Sequence, residues 1–238
     1  MLSHYSYRIM IKESLIDETS SAPAEILKSL NNGNAILAET TNNGTKLHAK
    51  LASTDGKLHL HSFKPENSQE GASTVQYDHV LSNLPSSLPT LLFLDLAHFD
   101  DYKGRVYIRL QSNAWSLHAF VRHVPSLFTG ERGDSILGNH FFNWDPEALG
   151  ITVHKPVKDI HLYEKDYRIA IYGDVVCDFR GDVIKQMFIH LGENKAYDGY
   201  GEIGVVESGM EVAEDCLGLG EWEQYNITIS DCGVVLEM

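Results

Sequence analysis

The sequence predicts a mainly β protein, and two observations carry that expectation. Runs of alternating apolar and polar residues recur along much of the chain, as at Tyr5, Tyr7, Ile9 and Ile11, a period that places such residues on one face of a strand. Turn dipeptides such as Asn43-Gly44 and Asp55-Gly56 stand between these runs, and both tolerate the positive φ of a type I′ hairpin turn. Helical periodicity is scarce by comparison. Alternating strands with few helices favour an antiparallel barrel or sandwich.

Taken in order, the strand pattern at 5–11 is followed by a helix start, Ser21 before Ala22-Pro23-Ala24-Glu25, because proline is tolerated in a first helical turn. That helix is expected to end near Asn31-Asn32-Gly33. The two turn dipeptides then imply a three-stranded meander over 34–63. Residues 64–90 contain Pro65, Pro85, Pro89 and many Ser, Asn and Gln residues, which reads as a linker around a short helix at 73–83. A boundary near residue 88 gives residues 1–88, a small β-rich (α+β) N-terminal domain with its linker, and a second domain at 89–238. The second has strand-like runs at 91–97 and 105–110 and an amphipathic segment at 115–128. Further strand-like runs follow at 167–172, 185–191, 203–207 and 224–236.

Length and composition fit this picture. A chain of 238 residues with 43% apolar and 10% aromatic content can bury a sizeable core. The formal charge of −14 argues against a sequence-independent grip on nucleic acid and disfavours anionic membrane surfaces. Three cysteines, Cys177, Cys216 and Cys232, form no CxxC pair, as expected of reduced thiols in a cytoplasmic or nuclear protein. The first residues lack the pattern of a secretory leader, and no apolar run reaches the length of a membrane span. The NxT sequons at Asn43 and Asn226 then read as chance.

Several short stretches, in order, carry a resemblance. Pro89-Thr90-Leu91-Leu92-Phe93-Leu94-Asp95-Leu96-Ala97 is followed by Gly104-Arg105-Val106-Tyr107-Ile108-Arg109-Leu110. Ala119-Phe120-Val121 precedes Leu127-Phe128-Thr129-Gly130-Glu131-Arg132-Gly133, and Gln186-Met187-Phe188-Ile189 comes next. The Asp198-Gly199 turn and the closing Ile227-Thr228-Ile229-Ser230-Asp231-Cys232-Gly233 complete the series. In this order the segments over about 89–238 resemble the cyclophilins, the peptidyl-prolyl isomerases. The resemblance implies an antiparallel β-barrel with one or two capping helices, preceded here by the small N-terminal domain.

The resemblance also implies a site. Rotation about an X-Pro bond faces a barrier of ~18–20 kcal/mol. The family lowers that barrier with an arginine aimed at the imide nitrogen beside an apolar pocket, an electrostatic device that needs a cation or strong donor at that point. The family's Phe-His-Arg-Val-Ile-Pro stretch is matched by Phe141-Phe142-Asn143-Trp144-Asp145-Pro146. Asn143 then stands at the position expected for the catalytic arginine, and an amide cannot supply a fixed positive charge. Ala148 replaces a pocket Phe and Ile151 a pocket Gln. Gln186 and Phe188 match pocket positions. Ala196 and Tyr197 replace the aromatic and the Leu of a Leu-Asp-Gly turn, and Tyr200 follows where a His is usual. The expectation is a remnant peptide groove at Phe141, Gln186, Phe188 and Tyr197, with no catalytic residue and no metal or other cofactor.

Other patterns are weaker. His59-Leu60-His61 with Glu66 puts two imidazoles on one strand face, which could serve a metal; solvent-facing histidines are the expected reading. Gly138-Asn139-His140 and Gly173-Asp174 are similar to fragments of metallophosphatase motifs, in the wrong order for a two-metal site. The acids Glu202, Glu207, Glu211, Glu214, Asp215, Glu221 and Glu223 give either a solvated surface or a docking face for a basic partner. The leading expectation is a catalytically degenerate protein-interaction module whose partner is another protein, with no direct contact to nucleic acid or membrane. The alternative is a residual isomerase using a displaced Arg122, Arg132 or Arg168.

Overall fold

The computed structural model describes residues 35–41, 44–54, 57–62, 73–76, 91–111, 124–130, 135–156, 168–180, 183–197 and 200–236. The strand pattern at 5–11, the helix at 21–31 and Glu66, Arg122 and Arg132 lie outside them. Strands β1 (Ala35–Thr41), β2 (Gly44–Thr54) and β3 (Lys57–Ser62) form the antiparallel meander that the turn dipeptides imply. Thr41 pairs with Gly44 and Thr54 with Lys57, so the first connection is residues 42–43, one position ahead of the expected Asn-Gly turn. The short helix expected at 73–83 is corrected over its first four residues. Ser73–Gln76 is strand β4, paired parallel to β1, where Thr74 and Val75 suit a pleated edge.

The meander does not end at β3. Leu58, Leu60 and His61 pair with Leu236, Val234 and Gly233 of β14 (Ile227–Leu236), and β14 pairs on its other side with β5 (Leu91–His98). The sheet continues through β6 (Asp101–Leu110), β13 (Tyr200–Ser208), β10 (Asp174–Arg180), β11 (Val183–His190), β8 (Ala148–Pro156) and β7 (Phe141–Asp145). The 12 strands form one ladder. A separate pair is made by β9 (Arg168–Ala170) and β12 (Lys195–Tyr197).

The large sheet is not closed by a continuous ladder, but its curl brings one end back to β14. His140, just before β7, forms a bridge with Thr228. Gly138 N–H donates to the Ile229 carbonyl at 2.8 Å, and Ile229 N–H donates to the Asn139 carbonyl at 3.0 Å. The Asn139 amide reaches the Thr152 carbonyl at 2.7 Å. The segment that is similar to a metallophosphatase fragment is therefore spent on joining strands.

Alternation decides what fills the interior. Leu92, Leu94 and Leu96 of β5 share one apolar cluster with Ile108, Ile151 and Ile229, each such burial contributing roughly 1.5–3 kcal/mol. Helix α1 (Val124–Thr129) covers part of it with buried Val124, Leu127 and Phe128. Two helices that the strand patterns did not announce follow β13: α2 (Met210–Leu217) buries Val212, Ala213 and Cys216, and α3 is Glu221–Gln224.

Candidate functional site

Four strands position the face where the resemblance implies a groove. Across them the pairing runs Phe142–Gly150–Phe188–Val176, from β7 through β8 and β11 to β10. The next row, Phe141–Ile151–Met187–Cys177, belongs wholly to the interior cluster. A period of two requires adjacent rows to face opposite sides, so the first row lies on the outer face. There Phe142, Ala148, Ala170, Val176 and Phe188 form a second buried cluster with half-buried Tyr200 against it.

This face is packed with the chain's own rings. Phe142 meets Phe188 edge-on, with ring centroids 5.7 Å apart and planes at 82°, a favourable arrangement for the ring quadrupoles. Tyr200 lies 5.6 Å from Phe188 on another side. Gly150 makes room beneath them. A Cβ there would stand 2.9 Å from the Phe142 ring tip and 3.0 Å from Phe188. The next outward row is polar, Thr152–Gln186–Asp178–Tyr200. Gln186 is 7% exposed, and its Oε1 is buried with no hydrogen-bond partner.

The expected groove residues therefore separate. Gln186 and Phe188 share the outer face, whereas Phe141 is 1% exposed and packs into the interior. Ile151 is also interior, so Gly150 and Thr152 are the outward neighbours at that level of β8. Asn143 falls between Phe142 and Asp145, where the β7–β8 register shifts. Tyr197 is in β12, paired with Arg168 of β9. Phe142 and Gly150 were missed in the sequence. The doublet Phe141-Phe142 within one strand was the available signal, because one of two adjacent strand residues must face out.

A second aromatic centre lies on the outer side of β3, β14, β5 and β6. His59 is 1% exposed and His61 7%, which corrects the solvent-facing reading. Both imidazoles meet the Phe93 ring nearly at right angles, at 5.3 and 5.0 Å. His61 Nδ1 is 2.7 Å from Asp231 Oδ2. Arg105 holds Asp95 with two hydrogen bonds of 2.5 and 2.7 Å while its guanidinium lies 4.3 Å from the Phe93 centroid. The hydrogen bond to Asp95 pushes the Arg105 pKa up. Among the described residues, no group of three or more His, Cys, Asp or Glu side chains is placed to hold a metal ion. Gly173-Asp174 also has a structural use, since Asp174 Oδ2 accepts from Ile171 N–H at 2.8 Å.

The solved structure of the Mimivirus cyclophilin matches this arrangement with a TM-score of 0.50 and 17% identity, covering 66% of this chain and 95% of that one. The fold is cyclophilin-like. No protein-family model matches the sequence, and no curated protein matches it. At this identity the cyclophilin likeness describes the fold alone. Among the described residues no helix is long and apolar enough to cross a membrane.

Proposed function

We propose that this protein is a protein-interaction module built on a cyclophilin-like barrel, without isomerase activity of its own. The observation that carries the reading is the covering of Phe188 by Phe142 and Tyr200 over Gly150. A proline ring docking on Phe188 would have to displace those aromatic contacts. Asn143 adds to this, because an amide at the position expected for the family's arginine offers no cation to the imide nitrogen. In this reading the partner is another protein, neither nucleic acid nor membrane, in the cytoplasm or nucleus. Residues 1–88 act as an added N-terminal domain, docked on residues 89–238 through the pairing of β3 with β14.

The test is a protease-coupled assay on proline-containing peptides with the full chain. The expected rate is the uncatalysed one, tens to hundreds of seconds per rotation. A faster rate that survives Asn143→Ala and disappears with Arg122→Ala, Arg132→Ala or Arg168→Ala would overturn the reading. One observation favours that second reading, a residual isomerase: the buried, unpartnered Gln186 Oε1 shares a face with Phe188, and a peptide N–H would satisfy it.

A further inference from the structure

On a ribbon that β9 makes with β12, the outward residues are apolar where solvent would favour polar ones. Ile169 is 60% exposed, Ile171 53% and Tyr172 49%, while Ala170 between them is buried. Ile169 pairs with exposed Ala196 of β12, which extends the apolar strip across both strands. Scattered single apolar residues need no explanation. Three large ones are exposed within four positions here, and concentrations of exposed apolar surface mark interaction sites.

On the α2 side the strip is bordered by acids, while Lys195 of the ribbon is committed to Asp145 at 2.7 Å. The Tyr172 hydroxyl donates to Glu214 Oε1 of α2, and that bond, with the nearby Glu211 charge, pushes the tyrosine pKa up. Met210, which opens α2, stands against the turn at Gly173, where a Cβ would lie 3.0 Å from its terminal methyl. Helix α2 carries Glu211, Glu214 and Asp215, all exposed, and no Lys or Arg. Glu214 and Asp215 lie in the second half of this eight-residue helix, toward the end where the backbone dipole disfavours anions. These acids do not serve the helix that holds them, and a tyrosine hydroxyl occupies only one of the acceptor positions of Glu214.

We propose that the strip Ile169–Ile171–Tyr172 with the acidic face of α2 is a docking surface for a cationic amphipathic segment of a partner protein, its apolar residue seated on the isoleucines and its Lys or Arg side chains against Glu211 and Glu214. The proposal rests on the interaction-module reading and gives it a surface distinct from the Phe188 face. A basic segment is the matching partner because the chain as a whole carries −14, which also steers cations toward it.

The experiment uses the full chain and a short fluorescent peptide of alternating Lys and Leu, with a Lys/Ser peptide of equal charge as the control. Anisotropy gives affinity and amide chemical shifts give location. The expected result is about tenfold tighter binding of the Lys/Leu peptide, with shifts at 169–173 and 210–215. Ile169→Thr with Ile171→Thr should bring the Lys/Leu peptide down to the level of the control while the melting temperature holds. Glu211→Gln with Glu214→Gln should weaken both peptides and flatten their salt dependence. Equal binding of the two peptides, no binding by either, or affinity indifferent to both double variants overturns the proposal. Shifts centred on Gln186 and Phe188 overturn it too and leave the module reading standing. Proline-isomerase turnover removes the module reading, and the peptide map then still decides this surface by itself.

Discussion

Two regions on the outside of the same sheet are each built around a phenylalanine, and they differ in what surrounds it. Phe93 is enclosed by His59, His61 and the Arg105 guanidinium, and two of those groups are committed to Asp231 and Asp95. Phe188 is enclosed by two other rings, with one unpartnered amide oxygen in the next row. In the first region His61 and Arg105 bind Asp231 and Asp95, which ties β3 to β14 and β5 to β6, while His61 Nε2 is buried with no hydrogen-bond partner. In the second, ring packing over Gly150 surrounds Phe188, with the Gln186 acceptor in the next row. The difference teaches that a polar cluster of His, Asp and Arg marks the fold here, and an almost wholly apolar cluster marks the place where the cyclophilin resemblance expects chemistry.

The largest effect is expected at the glycine that lets β3 and Phe93 approach β14. A Cβ on Gly233 would lie 2.0 Å from the Leu60 carbonyl oxygen and 2.8 Å from the Phe93 ring, and backbone cannot yield as a ring tip can. Gly233→Ala should destabilise by about 4 kcal/mol or more, read as a drop in the urea midpoint. A small change would mean that the β3–β14 seam is looser than the Phe93 region implies. On the other face, Phe142→Ala should cost about 3 kcal/mol through the cavity it leaves. It should also uncover Phe188, giving enhanced fluorescence of an apolar dye that the parent protein does not give.

Asp95→Asn separates the two regions more finely. It strands the Arg105 guanidinium, whose side chain is 18% exposed against 10% for Asp95, and should cost about 2–3 kcal/mol in the same denaturation experiment. Gln186→Leu, which removes an acceptor without a partner, should be neutral or stabilising; a clear loss of stability would show that its oxygen is satisfied in solution.

The smallest effect at neutral pH comes from the thiols. Burial pushes Cys216 up to about 11 and raises Cys177 and Cys232 as well. A raised folded-state pKa keeps its stabilisation below the unfolded thiol value, about 8.5, and loses it as pH rises through the folded value. The denaturation midpoint should therefore show no thiol-linked change with pH below that value and should fall above it. Iodoacetamide should label none of the three thiols at pH 7 before unfolding, because the thiolate is the reactive form.

Much of the strand framework was legible because alternation and turn chemistry are local. The meander at 35–62, the β5–β6 pair and the closing β14 all announce themselves within a dozen residues. Other elements did not. The strand β10 sets Asp174 and Asp178, both buried, around the apolar run Val175-Val176-Cys177, so no alternation announces it. Helix α2 is eight residues long, too short for helical periodicity to stand out. At the candidate site, Gln186 and Phe188 were visible through the resemblance, while Phe142 and Gly150 were not, since their importance lies in meeting Phe188 across two strand pairings.

The sequence by itself determined that the chain is β-rich, that its ending resembles a cyclophilin's, and that no arginine stands at the matching position of the Phe141–Pro146 stretch. Each of these depends on residue identity, spacing or local pairing. Only the tertiary structure decided that His59 and His61 are buried on Phe93, that Phe141 faces in while Phe142 faces out, and that β3 pairs with β14. Those outcomes depend on which strands become neighbours and in what register. Side-chain direction has a period of two, so a shift of one residue exchanges inside for outside, and one chain position carries no record of that choice.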